Sequence, residues 1–369
     1  MNLNVTYSHN YMKLLIRVER AADRDRWVSC LNDASKLTVH DLYDFDESKC
    51  IGQGRYASVY KACRIDENGE SLECAIKVVE KSEFWSRVGK SMERADTLVR
   101  EASVQATLAS KGVPLPTILK LGSLFETPDN LVFEVELLEG TDLFRYVSLK
   151  GSLSESEAAC IIRDVLVGLE MMCRFGIAHR DVKPANILMC NKESDGVHVK
   201  LADFGMSTFA GVDGLLRGRC GTPGYVAPEI FSAGVNGGYG NKVDIFSTGV
   251  TLYIMLCGYE PFYGETDAEL INANREALVE FPDSDWSNGE LCGNCDVALL
   301  RPLILIHCML VSAEARDLVR AMLEADPRKR ISAKDALQHP WICNRTAAVA
   351  KPVELRGKDF VAGAACVIS

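Results

Sequence analysis

The chain has 369 residues, 47% of them hydrophobic and 25% charged, which is too long for one small domain and suits a two-lobed soluble unit with short extensions. Its 51 acidic and 41 basic residues give a formal charge of −10, which argues against a nucleic-acid partner and allows an acidic groove for basic peptides. Fourteen cysteines without a regular framework, and a start Met1-Asn2-Leu3-Asn4 with no apolar secretory core, read as reduced thiols in a cytoplasmic protein. Asn2 stands where N-myristoylation requires glycine.

Residues 1–44 form an N-terminal piece. Tyr11 to Val18 has the β-branched and aromatic content of a strand. Ala21 to Ala34 is predicted helical, with Trp27, Cys30 and Leu31 on one face. A strand followed by a tryptophan-bearing helix resembles the end of a pleckstrin-homology domain, where the tryptophan plugs an open barrel. The basic loop through which that family binds phosphoinositides is absent, so the resemblance implies no lipid binding by it. An extension packed on the next domain accounts for the same residues equally well.

Residues 45–138 carry two linked motifs. In Ile51-Gly52-Gln53-Gly54-Arg55-Tyr56-Ala57-Ser58-Val59, glycines let the backbone approach phosphate oxygens closely. In Cys74-Ala75-Ile76-Lys77, strand alternation puts Ala75 and Lys77 on one face. Together they resemble the glycine-rich loop and the V-A-I-K strand of protein kinases. The resemblance implies that Ile51, Gly52, Gly54 and Val59 cover ATP, that Ala75 meets adenine and that Lys77 reaches its phosphates. Ala57 replaces the third glycine, and its methyl stiffens the loop. It also implies a carboxylate partner for Lys77. Glu101, in the helical stretch from Leu98, is preferred over Glu93. One helical turn on, where active members place an apolar residue, stands Gln105, which must find a partner or cost stability. By position Val135 is the gatekeeper, Glu136 and Leu138 offer backbone groups to adenine, and Asp142 either reaches ribose or a basic substrate or serves as an N-terminal helix charge.

Residues 139–342 hold the strongest signal. A helix predicted over Ser154 to Phe175 leads into His179-Arg180-Asp181-Val182-Lys183-Pro184-Ala185-Asn186, which resembles the kinase catalytic loop. The resemblance makes Asp181 the catalytic base, Lys183 a charge neutraliser and Asn186 a Mg2+ ligand. Val197 to Leu201 is predicted to be a strand ending in Asp203-Phe204-Gly205, with Asp203 as the second Mg2+ ligand and Leu188 under adenine. Met206 to Val226 is then the activation loop, closed by Ala227-Pro228-Glu229. Glu229 is expected to pair with Arg330, and Thr222 to contact Asp181 and Lys183. Gly218 occupies the position of the usual phosphothreonine, so no phosphate switch is expected there. Ser207 and Thr208 are the remaining early-loop hydroxyls, and Arg180 is left to another carboxylate or to mobility. Asp244 is expected to hold the catalytic-loop backbone.

The finer resemblance, through Leu124-Phe125-Glu126-Thr127-Pro128 and the stretch from Ile271 to Trp286, is to protein kinase D within the calcium/calmodulin-dependent group. Arg180 and Ala185 depart from it, since Ala185 replaces a glutamate that attracts substrate arginine. An insertion at about 287–311 holds Cys292-Gly293-Asn294-Cys295. With His307 and Cys308 these could supply four zinc ligands, but adjacent His-Cys is poor chelating geometry. Its apolar run, Val297 to Val311, contains Arg301 and is too short to span a bilayer. It is open to reading as an added helix, a partner patch or translated intron. In the flexible tail expected over 343–369, the final Cys366-Val367-Ile368-Ser369 matches a farnesylation box. One such chain gives only reversible membrane association.

These readings converge on an α+β, two-lobed protein kinase fold. The expected activity is ATP- and Mg2+-dependent transfer to serine or threonine of protein substrates, with basic residues upstream of the acceptor. The alternative is a nucleotide-binding scaffold of low activity.

Overall fold

The computed structural model describes residues 2–8 and 11–17, residue 29, and residues 36–65, 69–110, 116–190, 196–232, 237–282, 286 and 311–346. The helix expected over 21–34 (save Ser29), the insertion up to residue 310 with its cysteines and His307, and the tail from 347 with Cys366 lie outside the described residues. The chain divides into two compact units, Met1–Pro114 with Leu119–Leu137 and Leu115–Ile118 with Leu138–Ser369. The boundary expected after residue 138 thus falls one residue earlier, and the four-residue piece Leu115–Ile118 belongs to the second unit.

In the first unit, β1 (Asn2–Ser8) pairs antiparallel with β2 (Tyr11–Arg17). Only β2 was expected from the sequence. Helix α1 (Val39–Leu42) begins with a capping box in which Thr38 and Asp41 exchange hydrogen bonds. Strands β3 (Asp44–Gln53), β4 (Ala57–Ile65) and β5 (Ser71–Glu80) follow, then helices α2 (Lys81–Gly89) and α3 (Thr97–Ser110). Strands β6 (Leu121–Glu126) and β7 (Asn130–Val135) complete an antiparallel sheet in the order β3-β4-β5-β7-β6.

Both faces of this sheet are apolar, because β5 alternates between two cores. Cys74 and Ile76 pack with Val39, Tyr43, Ala62 and Val132, while Val79 packs with Ala57, Phe84, Leu98 and Phe133 on the face covered by α2 and α3. Lys77 shares the second face, which aims it at α3. On the first face the Tyr43 hydroxyl donates to Glu134, and Arg64 Nε donates to the same carboxylate at 3.0 Å. Glu134 is buried, so these two donors compensate its lost hydration. Burial, together with the neighbouring Glu134, holds the Tyr43 phenol above its usual range.

The second unit is mainly helical. Helix α4 (Leu143–Lys150) is capped by Asp142, and α5 (Glu155–Arg174) by a Ser154–Glu157 capping box. The apolar positions of α5 give it a continuous buried face, as its period predicted. Short strands β8 (Ile177–Ala178), β9 (Ile187–Cys190), β10 (His198–Leu201) and β11 (Thr208–Phe209) form two antiparallel pairs, β8 with β11 and β9 with β10. Helix α6 (Pro228–Phe231) precedes α7 (Val243–Cys257), which is buried from Val243 to Leu256 and so is apolar nearly all round. Gly258 ends α7 at φ +84°, and a Cβ there would lie 2.4 Å from the Gly151 carbonyl oxygen.

Helices α8 (Asp267–Glu276), α9 (Ala313–Met322), α10 (Ala333–Ala336) and α11 (Pro340–Thr346) complete the described part of the unit. The last of these corrects the expected tail boundary at 343. Thr346 is buried, and Arg345 pairs with Glu155 at 2.6 Å and Glu314 at 2.9 Å, so the folded unit continues to Thr346.

Candidate active site

In the first unit, register sets the cation. Lys77 lies opposite Val59 on β4 and Phe133 on β7, and its Nζ stands 2.5 Å from Glu101 Oε1. Glu93, the competing candidate, instead accepts from the Thr97 hydroxyl at 2.8 Å and the Arg94 N–H at 3.0 Å. Gly52 pairs with Val59, and the Gly54 N–H donates to the Ala57 carbonyl at 2.7 Å, which closes the turn between β3 and β4. Ile51 is 57% exposed and Ala75 is buried. The Glu136 N–H is committed to the Lys120 carbonyl at 3.0 Å, so that N–H is not the group Glu136 would offer a base.

Gln105 is buried one turn along α3 and finds the partner its polarity demands in Glu101 itself. Its Nε2 donates to Glu101 Oε1 at 3.4 Å, the oxygen that also takes Lys77. Among the described residues, Gln105 Oε1 and Glu101 Oε2 have no hydrogen-bond partner. A bond at 3.4 Å is weak, whereas an orphaned buried acceptor costs about 1–3 kcal/mol. Gln105→Met is therefore expected to stabilise the protein by about 1 kcal/mol while leaving the Lys77–Glu101 pair in place. Denaturant unfolding checks this, and a lowered midpoint would show that the long bond outweighs the orphaned oxygen.

In the second unit, Asp181 is the hub. The Thr222 hydroxyl donates to Asp181 Oδ1 at 2.7 Å. Lys183 Nζ stands 2.8 Å from both Asp181 Oδ2 and Thr222 Oγ1. Asn186 Nδ2 donates to the Asp181 carbonyl at 2.8 Å and to Oδ2 at 2.9 Å. Three of the expected residues thus converge on one carboxylate, brought there by a 3₁₀ turn at Pro184–Asn186 and by the return of the chain at Thr222.

Asp244 holds this loop from below, accepting from the N–H groups of His179 at 2.8 Å and Arg180 at 2.7 Å. Complete burial pushes its carboxyl up, against the lowering influence of His179 and these two donors. His179 Nδ1 accepts from the Asp181 N–H at 3.3 Å, so Nε2 is the protonated nitrogen that donates to the Ala202 carbonyl at 3.0 Å. Arg180 and Asp203 both adopt positive φ, +65° and +59°, a strained conformation sustained by these surrounding bonds.

The Ala202 N–H donates to the Asn186 carbonyl at 2.9 Å, so Asp203 follows directly after a residue tied to Asn186. Asp203 is exposed, and its Oδ1 accepts from the Gly205 N–H at 3.3 Å. Asn186, whose amide nitrogen is turned to Asp181, and Asp203 offer hard oxygen donors that suit Mg2+, an ion usually held by one or two side chains plus phosphate oxygens. Leu188 bridges to Asp142. Of the two readings of Asp142, the structure shows the helix role, with its Oδ1 accepting from the Arg145 N–H at 2.8 Å.

Arg180 corrects the sequence reading. Among the described residues no carboxylate pairs with it, yet it is not loose. Its guanidinium donates to the carbonyls of Met206 at 2.8 Å and Arg217 at 2.9 Å, and to the Tyr239 hydroxyl at 3.2 Å. Tyr239 in turn donates to the Gly218 carbonyl at 2.7 Å, and burial lifts its phenol to about 12. Main-chain oxygens and one tyrosine, which the sequence reading missed, occupy the place of a phosphate. Ser207, read as an early-loop hydroxyl, is buried and donates to the His179 carbonyl at 3.2 Å. The pair Glu229–Arg330 forms as expected, bidentate at 2.6 and 2.9 Å.

Comparison with known proteins gives the same reading. The protein kinase domain family matches residues 45–342. Myosin light chain kinase A of Dictyostelium discoideum is 36% identical over 305 residues, covering 82% of this chain and 89% of that protein. Calcium-dependent protein kinase 29 of Arabidopsis thaliana is 34% identical over 329 residues, covering 88% of this chain but 54% of that protein. The chain therefore belongs to the protein kinase family, as a serine/threonine kinase that uses ATP with Mg2+.

Proposed function

We propose that the chain phosphorylates serine and threonine hydroxyls of proteins through Asp181, with basic residues favoured upstream of the acceptor. The observation that carries this is the convergence of Thr222, Lys183 and Asn186 on one carboxylate. Those donors orient Asp181 so that it can take the proton of an acceptor hydroxyl, and Lys183 sits where charge moves off the phosphoryl group. In the first unit Lys77, fixed by Glu101, serves the nucleotide phosphates, and Ile51, Gly52, Gly54, Val59, Ala75 and a backbone group of Glu136 serve ATP; in the second unit Leu188 and a backbone group of Leu138 serve adenine. Bound Mg2+, held by Asn186 and Asp203, would neutralise phosphate charge.

The finer placement is protein kinase D-like, supported by the sequence of residues 124–128 and 271–286, with residues 1–44 as the last strand and helix of a pleckstrin-homology-like segment. The protein works in cytoplasmic signalling, and a farnesyl group on Cys366 gives reversible membrane association. The test is γ-phosphate transfer from Mg-ATP to serine and threonine peptides with and without upstream arginine. A myosin light chain belongs in the panel because one relative is named for that substrate. Transfer that favours arginine-bearing peptides supports the reading. ATP binding without transfer would overturn it in favour of a nucleotide-binding scaffold.

A further inference from the structure

Helix α8 buries one residue, and that residue is polar. Asn274 is fully buried on a helix whose other positions are exposed or intermediate. A buried amide is costly unless both of its ends are bonded. Here both are. Its Oδ1 accepts from the Val226 N–H at 3.1 Å, and its Nδ2 reaches the Gly224 carbonyl at 3.5 Å. Leu270, four residues earlier and so on the same helix face, lies against Gly224.

The segment so gripped is the one that delivers Thr222 to Asp181. The Tyr225 N–H closes a turn onto the Thr222 carbonyl at 3.1 Å, and the Tyr225 carbonyl accepts from the Ser247 hydroxyl at 2.8 Å. Gly221, at φ +116°, packs so closely that a Cβ would lie 2.9 Å from Val226 Cγ2 and 3.3 Å from the Arg180 carbonyl. Residues 221–226 are therefore pinned at one end by the catalytic carboxylate and at the other by Asn274. An acceptor hydroxyl presented to Asp181 must arrive on a chain that passes this segment.

We propose that Asn274 is a positioning residue for the acceptor protein, setting the backbone of residues 222–226 against which the substrate chain lies. This rests on the kinase reading of the same site. Among the described residues the hydrogen bonds of Asn274 go to Val226 and Gly224 and not to Asp181, so its loss should be felt by the protein substrate and not by ATP.

The test compares full-length wild type with Asn274→Leu, which removes both bonds at similar volume, and with Asn274→Ala as a smaller change should the first misfold. Glu155→Gln serves as a stability control, since Glu155 joins Ser312, Trp341 and Arg345 away from the segment. The Asn274 variants are expected to raise the peptide KM about tenfold, to leave the KM for ATP within about twofold, and to speed amide hydrogen exchange at Val226. The Glu155 variant should lower the melting temperature without changing either KM. Peptide KM values within about twofold of wild type in both Asn274 variants, or equal rises in the peptide and ATP values, would overturn the inference. A wild-type chain that transfers phosphate to no peptide would overturn the kinase reading itself, and the inference with it. Exchange at Val226 still reports whether the grip exists.

Discussion

Asp181→Asn is expected to lower kcat for peptide phosphorylation by about 10²–10⁴-fold with little change in the KM for peptide. Two losses add. The amide cannot accept the acceptor proton, and its NH2 group faces donors. Lys183 Nζ and Asn186 Nδ2 both donate to Asp181 Oδ2 at 2.8 and 2.9 Å, so a nitrogen there sets donor against donor. The Thr222 bond to Oδ1 survives, because an amide oxygen still accepts. Rapid-quench single-turnover assays separate the chemical step from product release. A kcat within tenfold of wild type would mean that Asp181 orients the acceptor but does not take its proton.

The second large effect is on stability. Arg330 has no exposed side-chain surface and satisfies its donors completely, with two bonds to Glu229 and others to the carbonyls of Glu324, Lys242 and Ala325. Its guanidinium also lies 5.0 Å from the centre of the Phe246 ring. Removing one partner of such a pair strands the other, at about 3–5 kcal/mol. Arg330→Met is thus expected to lower the melting temperature by about 10 °C. Adding Glu229→Leu should recover part of the loss, since the stranded carboxylate is then gone. A double variant as unstable as the single one would place the cost in the three carbonyls rather than in Glu229.

Much of this site was legible because its residues are tied to fixed backbone offsets. Asp181, Lys183 and Asn186 lie within one turn of chain, and Ala75 and Lys77 share a strand face by alternation alone. Glu101 could be chosen over Glu93 because it lies in a helical stretch at the distance from Lys77 usual in the family the motifs resemble. What could not be read were partners chosen by packing. Nothing near Arg180 in sequence points to Tyr239 or to the carbonyls of Met206 and Arg217, since main-chain oxygens carry no residue signature. Asn274 looks like an ordinary surface polar residue until α8 is placed against residues 224–226. Gln105 was legible as a problem and not as a solution, because its partner, Glu101, was already assigned to Lys77. The end of the folded unit was misplaced because Arg345 and Thr346 are polar residues whose burial depends on α5 and α9.

The pairing of Glu155 with Trp341 has a consequence for synthesis. These residues are 186 apart, and their 2.6 Å bond closes α5 against α11. At about 5–20 residues per second, a ribosome takes roughly 10–40 s to make the second after the first. Through that interval the apolar face of α5 has emerged without α11 to cover it, and Glu229 waits 101 residues for Arg330. The nascent chain therefore carries this apolar face without its α11 cover for roughly 10–40 s, and a product cut before Trp341 is expected to be less stable, which a melting-temperature comparison checks.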